Sequence, residues 1–140
     1  MKILVAADGS AFTKRMLAYL VAHDEWLGAQ HEYAVLHVVS PLPARAAAVI
    51  DRQVLQAHYA ETAAGVFKPI RSFFAKQKIE AQFVAKVGSP ADVIAAYATK
   101  GRYQLLILGS HGHGSLTGLF LGSVATKVIA GCRTPVLVVR

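Results

Sequence analysis

One cysteine is too few for a disulfide within the chain or for a cysteine zinc cluster. Cys132 is expected as a small core residue near a helix end, with a reactive thiol as the alternative. Long apolar runs are missing: none approaches the ~18 residues of a membrane span, and "MKILVAADGS" reaches Asp8 too soon for the core of a signal peptide. A cytoplasmic protein is the expectation. Acidic residues are scarce, eight against fifteen Lys and Arg, and the resulting +7 favours an acidic partner. The basic residues are nevertheless scattered, with only Lys14 and Arg15 adjacent and no run of five. A nucleic-acid surface would prefer a basic patch interleaved with aromatics, so nucleic acid is not the expected partner. A phosphate-bearing small molecule suits the same sign of charge. Low-complexity tracts and charge blocks are also absent, and 54% of the residues are hydrophobic against 16% charged. A single domain over residues 1–140, large enough to bury a real core, follows.

What is present alternates between short apolar runs and helical spacing. Residues 2–7 are apolar after Lys2 and end at "ADGS", which reads as a strand buried on both faces. Ser10 can cap the helix that follows, with Leu17 and Val21, or Met16 and Leu20, at four-residue spacing and an end near Leu27 and Gly28. "YAVLHVVS" is the second strand, closed by Pro41 and Pro43. Residues 44–77 carry a helical pattern with Val66, Ile70 and Phe74 on one face, and Pro69 predicts a kink or break. "IEAQFVAKVG" alternates as a strand nearer the sheet edge, and "SPADVIAAYATK" opens a helix with Ser89 as cap and Pro90 at its first position. Residues 103–109 form a fourth buried strand. Val124 and Val128 mark a helix ending at Gly131, and "PVLVV" is the last strand.

Strands separated by helices imply parallel pairing through right-handed crossovers, hence an α/β sandwich of five strands. Ligands in such sheets bind beyond the carboxyl ends of the strands, where the winding reverses. Three glycine-bearing junctions fall there: Asp8 with Gly9, Gly88 with Ser89, and the segment "GSHGHGSLTGLFLGS" from Gly109 to Ser123. That segment holds five glycines and no acidic residue. Glycine lets backbone N–H groups approach a ligand closely, and Gly122 and Ser123 begin the next helix, where open N–H groups and the positive dipole end favour an anion. Phosphate is the economical ligand. The P-loop is excluded because no lysine follows a glycine at the required spacing, and GxGxxG fails because Thr117 stands where its third glycine belongs.

Gly109, two residues, Gly112, nine residues, then Gly122 and Ser123 is a GxxG, x9, G[ST] pattern. With "KILVAADGS", "LHVVS", "VGSPADVI" and "TPVLVV", it makes the chain resemble the universal stress protein family over nearly its whole length. The resemblance implies a parallel sheet of order 3-2-1-4-5 within the three-layer αβα sandwich, a homodimer, and an ATP site; the apolar last strand, an open ladder if it lies at the sheet edge, places the expected dimer contact at Val136, Leu137, Val138 and Val139. Position by position the resemblance implies that Gly109 and Gly112 line the ribose and phosphates, while Gly122, Ser123 and the amide of Val124 hold the phosphate tail. Ala6, Ala7 and Asp8 would lie near adenine and ribose, Val38 against the base and Leu108 beneath it. Ala7 departs from the bulkier or polar residue of many members, and His113 with Gly114 departs from the usual loop.

Competing roles remain for several residues. Asp8 can simply make an Asx turn before the first helix, and His37 can be a satisfied core histidine. His111 and His113 could ligate zinc, but no third or fourth donor lies near them in sequence; Mg or Mn held by nucleotide phosphates is the expected form of any metal. HxGH is not present either. Catalysis would require a water-positioning group and positive charge on the leaving side, and no residue is assigned either role. Lys127 could reach a phosphate or face solvent. The expected function is therefore an ATP-binding stress-response or signalling module in which nucleotide controls conformation or partner choice. The alternatives are a weak ATPase or self-phosphorylating enzyme, with Ser115, Thr117 or Ser123 as acceptor, and a structural dimer that binds no nucleotide.

Overall fold

In the computed structural model, described for residues 1–114, 118 and 120–140, the apolar run at the start becomes β1 (Lys2–Ala6), the centre of a parallel sheet. Its neighbours are β2 (Glu32–Val39) and β4 (Leu105–Gly109), with β3 (Ala81–Val87) and β5 (Val136–Val139) at the edges. The order is β3-β2-β1-β4-β5, as expected. Ala6 is in register with both Leu36 and Leu108, so the carboxyl ends of the three inner strands lie side by side.

Alternate residues of β1 serve opposite cores, because successive side chains of a strand point to opposite faces. Ile3 and Val5 join Met16, Leu17 and Leu20 of α1 (Ala11–Ala22) and Phe67, Ile70 and Phe74 of α4 (Arg52–Lys76). Leu4 and Ala6 join Ala91, Ile94 and Ala98 of α5 (Pro90–Lys100) and Ala125 and Val128 of α6 (Ser123–Gly131). Helices thus cover both faces, completing the three layers. β3 is an edge strand, and its burial is correspondingly partial. Cys132 caps the end of α6 and packs against the second core.

Three local expectations are corrected. The first helix stops at Ala22, and a separate turn, α2 (Asp24–Leu27), carries the chain to Gly28. His23 separates them at φ −128°, ψ 41°, with its Nδ1 bonded to the carbonyl of Tyr19 at 2.9 Å. Met16 and Leu20 are the buried pair, whereas Val21 is exposed. Second, the chain does not break at Pro69: α4 runs through it, and the interruption falls earlier, between α3 (Ala44–Ala48) and Arg52. A proline inside a helix costs ~3 kcal/mol. Phe67, Ile70 and Phe74 are buried on both sides of it, and at ~1.5 to 3 kcal/mol each they outweigh that cost. Val66 is only half-buried, and Phe67 takes its expected place in the core. Third, Ser89 stands at the N-cap of α5 without a side-chain cap bond, although Pro90 is at its first turn.

Candidate functional site

The inner strand ends open onto a cavity of about 540 Å³ at the carboxyl edge of the sheet. It lies where the crossovers from β1 and to β4 diverge, the position at which open α/β sheets bind ligands. Four segments at the strand ends supply most of its wall, and α4 and α5 close the remaining sides.

After β1 the chain turns through Asp8 and Gly9, and Gly9 at φ +79° adopts a conformation that side chains resist. Asp8 Oδ1 accepts hydrogen bonds from the Ser10 amide (2.9 Å) and the Thr13 hydroxyl (3.1 Å). Thr13 Oγ1 in turn accepts from the amides of Asp8 (3.2 Å) and Gly9 (3.1 Å). Ser10 caps α1 by accepting from the Phe12 amide. The Asx turn is therefore real, but it occupies only one carboxylate oxygen. The other faces Gly112, where an added Cβ would lie 2.6 Å from Oδ2. Asp8 is at once a turn residue and a cavity wall.

The end of β2 contributes Val38 and its neighbours, and His37 Nδ1 bonds the carbonyl of Ala7 at 2.8 Å. His37 is a buried, satisfied histidine that ties β2 to the end of β1.

The loop after β4 is held from three sides. A Cβ on Gly109 would come within 2.7 Å of Phe12 Cβ, so the missing side chain lets α1 pack closely. Ser110 donates its amide to Val139 and accepts at its carbonyl from the Gly122 amide, both short bonds at 2.8 and 2.7 Å. The His113 Nε2–H donates to the carbonyl of Asp8 at 2.8 Å, across 105 residues of sequence. Ser115 and Thr117, considered as phosphate acceptors, lie outside the described residues.

At α6 the roles within the glycine-serine pair separate. Gly122 is the N-cap, and its own N–H is engaged by Ser110. The first intrahelical bond there runs from Thr126 to the Gly122 carbonyl at 3.0 Å. The amides of Ser123, Val124 and Ala125 are the orphan donors of this terminus. Gly122 serves by its size: a Cβ would stand 3.1 Å from His111 Cα and 3.2 Å from the Ser110 carbonyl.

Ala6, Ala7, Asp8, Val38, Leu108, Gly109, Gly112, Gly122, Ser123 and Val124 all line this one cavity. Sequence reasoning assigned no site role to Thr13, His58 and Thr62, which line it too. His58 and Thr62 share a face of α4 at four-residue spacing, with the Thr62 hydroxyl bonded to the His58 carbonyl at 2.9 Å. That spacing was visible, but which face of α4 met the site was not. Lys127 is exposed and not among the lining residues. Among the described residues no group of three or more His, Cys, Asp or Glu is placed to hold a metal ion, and no helix is long and apolar enough to cross a membrane. The shifted acids lie elsewhere: burial pushes Tyr33 up to about 12, and burial, then Tyr97, pushes Tyr103 to about 12.

The model of the Universal stress protein family matches residues 1–140. A universal stress protein of Thermus aquaticus, from the 3′ region of the QAH/OAS sulfhydrylase gene, is 31% identical over 138 residues, spanning 99% of this chain and 97% of its own. Among solved structures, the protein MJ0577 superposes with a TM-score of 0.82 at 28% identity, covering 99% of this chain and 94% of that one. The universal stress protein of Archaeoglobus fulgidus in complex with dAMP has a TM-score of 0.65 at 24% identity, covering 100% and 98%.

Proposed function

The chain belongs to the universal stress protein family, and from that membership we propose that it binds an adenine nucleotide, ATP foremost, as a stress-response or signalling module. The observation that carries this is the convergence of the inner strand ends and the first turn of α6 on one cavity. Its size lies within the roughly 300 to 1,000 Å³ of small-molecule sites. Leu36, Val38, Ile94 and Leu108 offer an apolar slot for a base, and the amides of Ser123 to Ala125 offer donors for phosphate. A fold relative that holds dAMP agrees in ligand class.

Both halves are required by magnitude. A helix terminus contributes ~0.3 to 1 kcal/mol toward an anion, whereas micromolar affinity needs about 8 kcal/mol. Burying roughly 100 Å² of apolar base adds ~2.5 kcal/mol, and bonds to charged phosphate add ~1.5 to 3 kcal/mol each before entropic costs. Moderate affinity follows. Mg or Mn would ride on phosphate oxygens, with Asp8 as the carboxylate of the wall; bound to the nucleotide, such an ion would lower its charge.

The test is to purify the protein, denature it and identify co-released nucleotide by mass, alongside Gly122→Leu. The expected outcome is adenine nucleotide from the parent and little from the variant, with circular dichroism showing both folded. Equal nucleotide in both would disprove the phosphate site. Sustained release of phosphate in proportion to protein would instead identify an ATPase.

A further inference from the structure

We propose that His58, His111 and His113 supply the positive charge that compensates bound phosphate, so that nucleotide binding takes up protons and tightens as pH falls. This rests on the nucleotide reading above and adds residues outside the glycine-serine motif, none of whose members is cationic.

The starting point is a mismatch of charge. The chain carries fifteen Lys and Arg, yet none lines the cavity. Its ionisable wall is Asp8 from the turn after β1, His37 from β2, His58 from α4, and His111 and His113 from the loop after β4. The elements that close the remaining sides, α1, α5 and α6, face it with hydroxyl and apolar groups. Two guanidiniums approach through aromatic rings instead. Arg15 lies over Phe12 at 4.8 Å, and that ring packs against His111 at 5.1 Å. Arg71 lies 5.7 Å from Phe67, whose ring meets His37 at 6.3 Å. A polyphosphate entering here meets the Asp8 carboxylate and no permanent cation on the wall. Backbone amides supply partial charges only.

Imidazoles change charge between pH 5 and 8 and can supply whole ones. His111 is placed for this: a Cβ on Gly122 would lie 3.6 Å from its Cδ2, so the ring borders the first turn of α6. A phosphate held on the amides of that turn would place negative charge beside the ring and favour its cationic form. His113 holds the loop to the Asp8 carbonyl through Nε2–H, a bond that both the neutral Nε2–H tautomer and the imidazolium can make. Protonation at Nδ1 therefore adds charge without releasing the loop. His58 is exposed on α4 and lines the cavity through its side of that helix. His37 is left out, because its ring is buried and joined to Ala7. By linkage, each proton taken up per nucleotide strengthens binding about tenfold for each unit of pH decrease across the titration range.

Isothermal titration of ATP into the protein, in buffers of low and high ionisation enthalpy at pH 7, counts the protons exchanged. The proton that free ATP carries is the same in every titration, so the variants differ only in the protons held by the bound complex and the free protein. The parent should take up more protons than His58→Gln/His111→Gln/His113→Gln, and its Kd should change about tenfold more between pH 6 and 8. His113→Lys, which makes one charge permanent, should flatten the pH dependence while keeping affinity at pH 8. Equal proton counts in parent and triple variant would overturn the proposal. If the triple variant binds at no pH, the three single variants decide it, and an unchanged count in all of them overturns it equally. Absence of ATP binding by the parent at every pH would overturn the nucleotide reading itself, a separate and visible result.

Discussion

Thr13 shows how much one hydroxyl can organise. It is buried, donates to Asp8 Oδ1 and accepts from the amides of Asp8 and Gly9. In sequence it is merely the third residue after a capping serine. Thr13→Val keeps the shape and removes all three bonds, leaving the part-buried Asp8 amide unpaired at about 1 to 3 kcal/mol. Urea denaturation should show a loss of at least ~1 kcal/mol, with weaker nucleotide binding because the Asp8 carboxylate then keeps only its bond from the Ser10 amide. An unchanged midpoint would show that the turn is held by something else. The neighbouring glycines work by exclusion: at Gly112 the obstacle to a side chain is a carboxylate, at Gly109 a helix, and at Gly122 the loop backbone.

Among elements, α4 is the one whose local chemistry disagrees with its structure. Pro69 lies within a helix of 25 residues and is exposed, and it leaves the carbonyl of Gly65 without its i+4 donor. Burial of Phe67, Ile70 and Phe74 holds the helix together regardless. Pro69→Ala should restore that bond and stabilise the protein by about 1 to 3 kcal/mol, read as a higher midpoint in thermal or urea unfolding. A lower midpoint would mean that the proline ring makes packing contacts worth more than the bond. The same helix places His58 and Thr62 at the cavity, so its register matters beyond stability.

For the whole molecule, the edge at β5 bears on assembly. The carbonyls of Pro135 and Val139 accept from Leu106 and Ser110, so by the alternation of a parallel ladder the peptide groups of Val136 and Val138 point away from β4. Val136, Leu137 and Val138 are half-buried there, an apolar edge of the kind that pairs or is covered. We expect a homodimer through this strand: light scattering at high micromolar concentration should give twice the 15.0 kDa chain mass. Val138→Pro, which removes an outward N–H, should give a folded monomer. A strictly monomeric parent would contradict the expectation. Much of the molecule was legible beforehand, because buried parallel strands are continuous apolar runs and glycine-bearing turns punctuate them. Five strands could be written down from residue types and spacing, while their order and the ten residues of one cavity came through the family resemblance. Other features were settled only by the folded chain. The break before Arg52 rather than at Pro69, the engagement of the Gly122 amide by Ser110, and the meeting of histidines from β2, α4 and the β4 loop depend on contacts between distant segments. Spacing along a chain constrains neighbours on one element, whereas charge in a cavity is decided by which elements pack around it.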